Sequence, residues 1–444
     1  MDENDLTRQS ALDLAETIRT GKASAQEVTA AHLDRIDAVN PSVHAVVQIS
    51  DVAMDEAALA DATLSRGETT GPLHGVPFTV KDWIETKGLI CDAGHEARRD
   101  FVPREDATVV ARMRAAGGIL LGKTKTGSTA DLHRAPKNPF NSAHTPGASS
   151  SGEVAIIASG GSPLGLGSDS GGSLRWPAHC CGVATLKPTS GLVPGTGHVP
   201  PTIALSDPRT VIGPFARSVD DLGTVLKVIA GEDGKDASTL PVPPGDPGSV
   251  SPGSLRVAWF AEFEGAVPDD ATLGAMEEAV KVFEASGASL THAAPPRIDE
   301  AMRITKAYWA RPESSSANRW APWGESTLSA DDVERSLFEW DRLRRAFTAF
   351  MSDFDLVICP AAATAAPARA EALAGDYIYT LPFSLTGQPV AVVRTGTSGN
   401  GLPLGVQVAA RPFRDHIALA GASLLERRAG PFPPPSIEAG QASP

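Results

Sequence analysis

Between Pro146 and Pro188 the chain reads PGASSSGEVAIIASGGSPLGLGSDSGGSLRWPAHCCGVATLKP, two hydroxyl clusters set among glycines. Neither Ser149–Ser151 nor the run from Ser168 to Ser173 favours a helix or a long strand. Glycine-rich turns let backbone N–H groups converge on one point and let the chain pass close to a ligand. A serine held in such a turn is where acyl-transfer enzymes place a nucleophile and an oxyanion hole. Any fold of this chain must therefore present two irregular, hydroxyl-bearing turns and bring a base to them.

The flanking segments alternate in type. Leu12, Leu14 and Ile18, then Val28, Leu33 and Ile36, fall at helical spacing and predict two helices over 7–38, with Ser24 as an N-cap. An alanine-rich helix follows at 51–66. GVPFTVK (75–81) alternates, is β-branched and predicts a strand ending at Lys81. A short helix at 108–116, stopped by Gly117 and Gly118, leads into a buried strand at 119–121. Further on, strands are expected at 255–258, 356–360 and 401–409. Helices are expected at 271–286, across 300–350 and at 415–427. Such alternation favours a layered α/β domain. Residues 231–254 are rich in Pro, Gly and Ser, yet apolar strands on both sides look like parts of one sheet, so 1–430 is expected to be a single domain. The Pro-rich 431–444 reads as a frayed tail.

Composition excludes several classes. With 444 residues, 42% apolar and 21% charged, the chain resembles a water-soluble globular protein. A formal charge of −14 argues against a nucleic-acid backbone or an anionic membrane as the main partner. Cys91, Cys180, Cys181 and Cys359 lack metal-site spacing and read as reduced, mostly buried thiols. The acidic start (Asp2, Glu3, Asp5) is unlike a signal peptide, and no apolar run is long enough for a membrane span. A cytoplasmic location is expected.

One motif is a decoy. GGILLGKT (117–124) matches the phosphate-loop pattern, but Ile-Leu-Leu between the glycines is a buried strand preceded by a helix, not a flexible turn. No GxSxG elbow is present, and no SxxK occurs with its partner motifs. His74, His133, His144, His179 and His198 are candidate bases for a serine. Lys81 is another, provided that burial lowers its pKa from about 10.4 so that the amine is neutral.

The run from Pro146 to Pro188 resembles the amidase signature family. LHGVPFTVKD (73–82) looks like that family's lysine segment and GGILLGKT like its strand before the signature. PFSLTGQPVAVV (382–393) with GLPLGVQVAARPF (401–413) resembles its C-terminal strands. The resemblance covers residues 8 to about 427. It implies an α/β fold with a large mixed central β-sheet covered on both faces by helices. It also implies Ser173 as nucleophile, Ser149 as a bridging serine after a cis peptide bond, and Lys81 as base. The backbone N–H groups of Ser170, Gly171, Gly172 and Ser173 would form the oxyanion hole. Ala148 and Ser151 stand where the family has glycine, and an asparagine usual after the 119–122 strand is absent.

Asp169 and Arg175 flank the nucleophile position, as a structural ion pair or with Arg175 greeting an anionic substrate. Trp83, Trp176 and Arg175 are candidate pocket residues. Trp309, Trp320, Trp323 and Trp340, with Tyr308, suggest an aromatic cap over the site, or a helical core stripe. The implied activity is hydrolysis of small amides through an acyl-enzyme, with esters and carbamates (urethanes) as further substrates and no metal or cofactor required. A monomer or homodimer acting on a small molecule, with neither nucleic acid nor membrane as partner, is expected. The alternative is the glutaminase-type subunit of a tRNA-dependent amidotransferase.

Overall fold

A computed structural model of the chain describes residues 6–127, 135–201, 208–309, 329–369 and 374–437. The first half contains α1 (Ala11–Arg19), α2 (Ala25–Val43), β1 (Val46–Ile49), α3 (Ala53–Ser65), β2 (Pro77–Lys81), α4 (Thr108–Ala115), β3 (Ile119–Thr124), α5 (Ser151–Ala158) and β4 (Leu164–Asp169). Then come α6 (Arg175–Cys181), β5 (Ala184–Lys187), β6 (Val211–Ala216), α7 (Val219–Ile229), β7 (Arg256–Trp259), α8 (Asp270–Ala285) and β8 (Ser289–His292). The chain ends with α9 (Ala301–Trp309), α10 (Ala330–Met351), β9 (Leu356–Pro360), α11 (Leu381–Thr386), β10 (Val390–Thr397), β11 (Pro403–Ala410) and α12 (Asp415–Ala429).

The strands form one mixed sheet of 11 strands in the order β1-β3-β2-β4-β6-β5-β10-β11-β9-β7-β8. Strand β2 runs parallel to both β3 and β4, whereas β4, β6, β5, β10, β11 and β9 pair antiparallel in succession. Side chains alternate between two apolar layers, as strand geometry requires. Phe78 and Val80 of β2 join one layer with Leu14, Val109, Leu222 and Leu419 from α1, α4, α7 and α12. On the opposite face Phe215 and Val392 pack with Ile156 and Trp176, from α5 and α6. Val357 and Ala409 meet Trp340, Phe347 and Phe383, from α10 and α11. The sheet is thus covered on both faces by helices.

Local chemistry explains the element starts. Ser24 caps α2 through a reciprocal box: its hydroxyl accepts the Glu27 N–H at 3.0 Å, and Glu27 accepts the Ser24 N–H at 2.7 Å. The GGILLGKT segment is helix, glycine stop and strand, as expected. Its Lys123 is fully buried and donates to the Ile84 carbonyl and to Thr86 Oγ1, so it is not available to a phosphate. One expectation needs correction: within 382–393, residues up to Thr386 belong to helix α11, and the strand starts at Val390. Pro382 in the first helical turn and Gly387 at the C-cap, with φ of 76°, punctuate that helix.

Candidate active site

Strand β2 ends at Lys81, whose neighbour on the same face, Thr79, donates to the buried carboxyl of Glu153 on α5. Helix α5 can lie this close because β4 has glycine at 165 and 167. A Cβ at Gly165 would sit on Glu153 Oε1, and one at Gly167 would sit 2.9 Å from Ser150 Oγ. These two glycines clear the face on which the helix and the turn before it rest.

Lys81 is fully buried, and its Nζ lies 2.7 Å from Ser149 Oγ and 2.9 Å from Ser168 Oγ. Trp83 walls it: the ring centroid is 4.0 Å from Nζ, and the indole N–H donates to the Ala93 carbonyl at 3.1 Å. Burial drives the Lys81 pKa well below the ordinary lysine value, against the opposing pull of Asp169, Glu153 and Asp82. Glu153 is itself pushed up to about 7 by burial, despite hydrogen bonds from Thr124 and Thr79. Asp82, which accepts the Ala93 N–H at 2.7 Å, is likewise raised to about 7 by burial.

Ser149 is held by its neighbours. The Ala148 carbonyl accepts from both the N–H and the hydroxyl of Ser151, and Ser150 Oγ donates to the Ser168 carbonyl at 3.2 Å. Ser151 thus has a use for the side chain that stands in place of glycine. The peptide bond before Ser149 is trans, because the cis bond found among the described residues is Val199–Pro200. This corrects the cis geometry implied by the resemblance. The backbone as it stands brings the Ser149 hydroxyl to Lys81.

The turn Ser170–Ser173 follows β4. Its four backbone N–H groups meet no acceptor among the described residues. Thr380 Oγ1 donates to the Gly171 carbonyl at 2.5 Å, which fixes the planar 171–172 peptide with its N–H on the opposite side. Gly172 has φ of 147°, and a Cβ there would lie 2.4 Å from Thr380 Oγ1 and 3.0 Å from the Tyr377 ring. Only glycine fits. The Ser173 hydroxyl is partly exposed and makes no hydrogen bond among the described residues. The structure therefore brings Lys81 and Ser149 into contact, while no hydrogen bond joins Ser149 to Ser173.

Arg175 does not face a substrate. It is fully buried and forms a fork on Asp169, with Nε at 3.0 Å from Oδ2 and Nη2 at 2.9 Å from Oδ1. Its remaining donors go to the Thr380 carbonyl, Gln407 Oε1 and Ser384 Oγ. Burial alone would raise Asp169, but the charge and hydrogen bonds of Arg175 outweigh it and hold the carboxyl below its usual value. Trp176 is buried and packs on Tyr377 with ring centroids 4.9 Å apart, so it meets the turn through that tyrosine. Trp340 belongs to the core and donates its indole N–H to the Leu385 carbonyl at 2.5 Å. Trp320 and Trp323, and the side chains of Tyr308 and Trp309, lie outside the described residues.

The candidate histidines are used elsewhere. His74 pairs with Thr70 and the Ala60 carbonyl, His144 with the Ala366 carbonyl, and His179 with Gly405 and Thr364. His198 Nδ1 is 2.8 Å from the Pro200 carbonyl, and His133 lies outside the described residues. All four cysteines are free and buried. No group of three or more His, Cys, Asp or Glu among the described residues is arranged to hold a metal ion. No described helix is long and apolar enough to cross a membrane. Ser168, Glu153, Tyr377 and Thr380 were missed as site residues. Ser168 had a signal, since it lies in the hydroxyl-rich run, whereas Thr380 reaches the turn from more than 200 residues away.

Comparison with known proteins gives the family and the fold. The family model described as Amidase matches residues 27–320 and 309–419. An acylamidase of Rhodococcus erythropolis is 32% identical, with 96% of each chain covered. A glutamyl-tRNA(Gln) amidotransferase subunit of Salinispora arenicola is also 32% identical, over 98% of this chain and 100% of the relative. The solved structure of a 6-aminohexanoate cyclic dimer hydrolase in complex with its substrate superposes with a TM-score of 0.83 at 27% identity, covering 97% and 99% of the two chains. With a buried lysine on a serine, a glycine turn of open N–H groups and this breadth of similarity, the chain belongs to the amidase (amidase-signature) family.

Proposed function

We propose that this protein hydrolyses the C–N bond of small amides through Lys81, Ser149 and Ser173. Neutral Lys81 takes a proton from Ser149, which takes one from Ser173, and the Ser173 alkoxide attacks the substrate carbonyl. The N–H groups of Ser170–Ser173 hold the oxyanion of the tetrahedral intermediate. The relay returns the proton to the departing amine, leaving an acyl ester on Ser173. Water, deprotonated by the same relay, then cleaves that ester and releases the carboxylic acid. The leg from Ser149 to Ser173 closes on substrate binding, since catalytic hydrogen bonds are often long in unliganded sites.

The observation that carries the reading is the 2.7 Å contact between the fully buried Lys81 amine and Ser149 Oγ, in a site whose burial drives the amine's pKa well below the ordinary lysine value. Esters and carbamates present the same carbonyl to the same N–H groups, so their cleavage belongs to this proposal. Ser173→Ala should cut turnover of an aryl amide by about 10⁴-fold or more, with an unchanged circular dichroism spectrum. Mass spectrometry of the parent protein with a slow aryl ester should find the acyl group on Ser173. Retained activity, or an adduct on another residue, would refute the assignment.

A second reading is favoured by the similarity to the amidotransferase relative, which is as high in identity as that to the acylamidase. In that case the chain would hydrolyse glutamine, in association with other chains. Hydrolysis of p-nitroanilides by the isolated chain, with no turnover of glutamine, decides for the stand-alone amidase.

A further inference from the structure

Helices α5 and α6 start beside the serine turns and end, at Ala158–Gly160 and Cys181–Ala184, on a cavity of about 710 Å³. Five arginines line it: Arg8, Arg35, Arg217, Arg394 and Arg427. None of them forms an ion pair with a carboxylate among the described residues. In a chain of net charge −14 this is an unusual concentration of unpaired positive charge. The one acidic lining residue, Glu426, turns its carboxyl to the Val219 N–H, at 3.0 and 3.1 Å. Asp221, which lies near Arg217, is taken up by the N–H groups of Ala11 and Leu12.

The arginines are anchored by neutral groups. Arg35 Nε donates to the Ser159 carbonyl, Arg217 to the carbonyls of Thr7 and Gln9, Arg394 to the Gly396 carbonyl and Thr397 Oγ1, and Arg427 to Ser423 Oγ. Arg8 makes no hydrogen bond among the described residues, and Arg217 Nε is buried without an acceptor. Burial weakens the proton affinity of Arg217, against the pull of Asp221, and that of Arg394, each to about 10. Phe432 from the proline-rich tail stacks 4.1 Å over the Arg394 guanidinium, and Phe140 approaches it from 5.3 Å. The cavity thus combines fixed guanidinium forks with aromatic and aliphatic walls, at the size of a small-ligand site.

We propose that this cavity binds a small organic anion that carries two or more negative charges, on phosphate or carboxylate groups, next to an apolar body. Guanidinium forks match both groups in bidentate geometry. The rings of Phe140 and Phe432 take the apolar part. The site is separate from the Lys81 centre, so its occupancy is tested without turnover.

The test is calorimetric titration and thermal unfolding of the Ser173→Ala protein at constant ionic strength, with inorganic phosphate, pyrophosphate, phenyl phosphate and citrate. Saturable binding at one site per chain by pyrophosphate or citrate is expected, with a concentration-dependent rise in Tm. Which of the two binds more tightly distinguishes phosphate from carboxylate. Phenyl phosphate should bind roughly tenfold more tightly than inorganic phosphate. Arg8→Gln with Arg427→Gln should weaken pyrophosphate at least tenfold, and Arg8→Lys should weaken it less. If the double variant fails to fold, Arg8→Gln alone decides, because Arg8 makes no hydrogen bond among the described residues. The absence of saturable binding at millimolar concentrations, or equal affinity in wild type and Arg variants, overturns the proposal.

Discussion

At Lys81 burial opposes three carboxylates. Burial removes the water that would stabilise an ammonium, while Asp169, Glu153 and Asp82 favour it; burial prevails. A lysine base is active when neutral, so amide turnover should rise with pH as Lys81 loses its proton and then level off. A flat profile from slightly acid to strongly basic pH would exclude a lysine base. Glu153 tunes this position. Its own proton is lost near 7, and above that pH its charge pulls the Lys81 pKa upward, against the larger effect of burial. Glu153→Gln removes that pull and should shift the rising limb to lower pH, in a kcat/KM profile with an aryl amide. A shift to higher pH would show that the carboxyl acts on the lysine in some other way.

Helices α5 and α6 depend on buried polar groups to stand at the required height over the sheet. The Asp169–Arg175 pair joins the end of β4 to the first turn of α6 and reaches α11 through Ser384 and Thr380. Removing one partner leaves a charge uncompensated in the interior, which typically costs about 3–5 kcal/mol. Arg175→Ala should therefore destabilise the fold by about that amount in urea denaturation. Arg175→Lys should recover only part of the loss, since one ammonium cannot serve two carboxylate oxygens, a carbonyl, an amide and a hydroxyl. Stability unchanged in both variants would contradict the structural role. At this scale the reading of the sequence succeeded where the apolar period was long. The two helices expected over 7–38, found at Ala11–Arg19 and Ala25–Val43, the strand ending at Lys81 and the strand at 356–360 were legible from spacing. It was weaker at short elements. The four residues of β5 carry too little pattern, and α11 reads as strand in the sequence because Pro382 and Gly387 act as helix punctuation only once the helix is known.

The whole molecule rests on one sheet that both halves of the chain build. Strands β4, β5 and β6 come before the proline-rich connection, yet β5 pairs with β10 from after it, Val390 opposite Lys187. The protein should accordingly unfold in one cooperative thermal transition. A backbone nick in the exposed stretch 240–250 should leave both fragments together on size exclusion without denaturant. Two separate transitions, or fragments that part freely, would divide the chain into independent units. Sequence alone set the chemistry available here: hydroxyls in glycine turns, a lysine at a strand end, and a helix–strand alternation that selects a layered fold, because these depend on residue type and near neighbours. Packing decided the rest. That the Lys81 amine loses its water, that Arg175 is spent inside the protein and that five arginines face one cavity depend on what distant segments place around them. No local pattern encodes such neighbours.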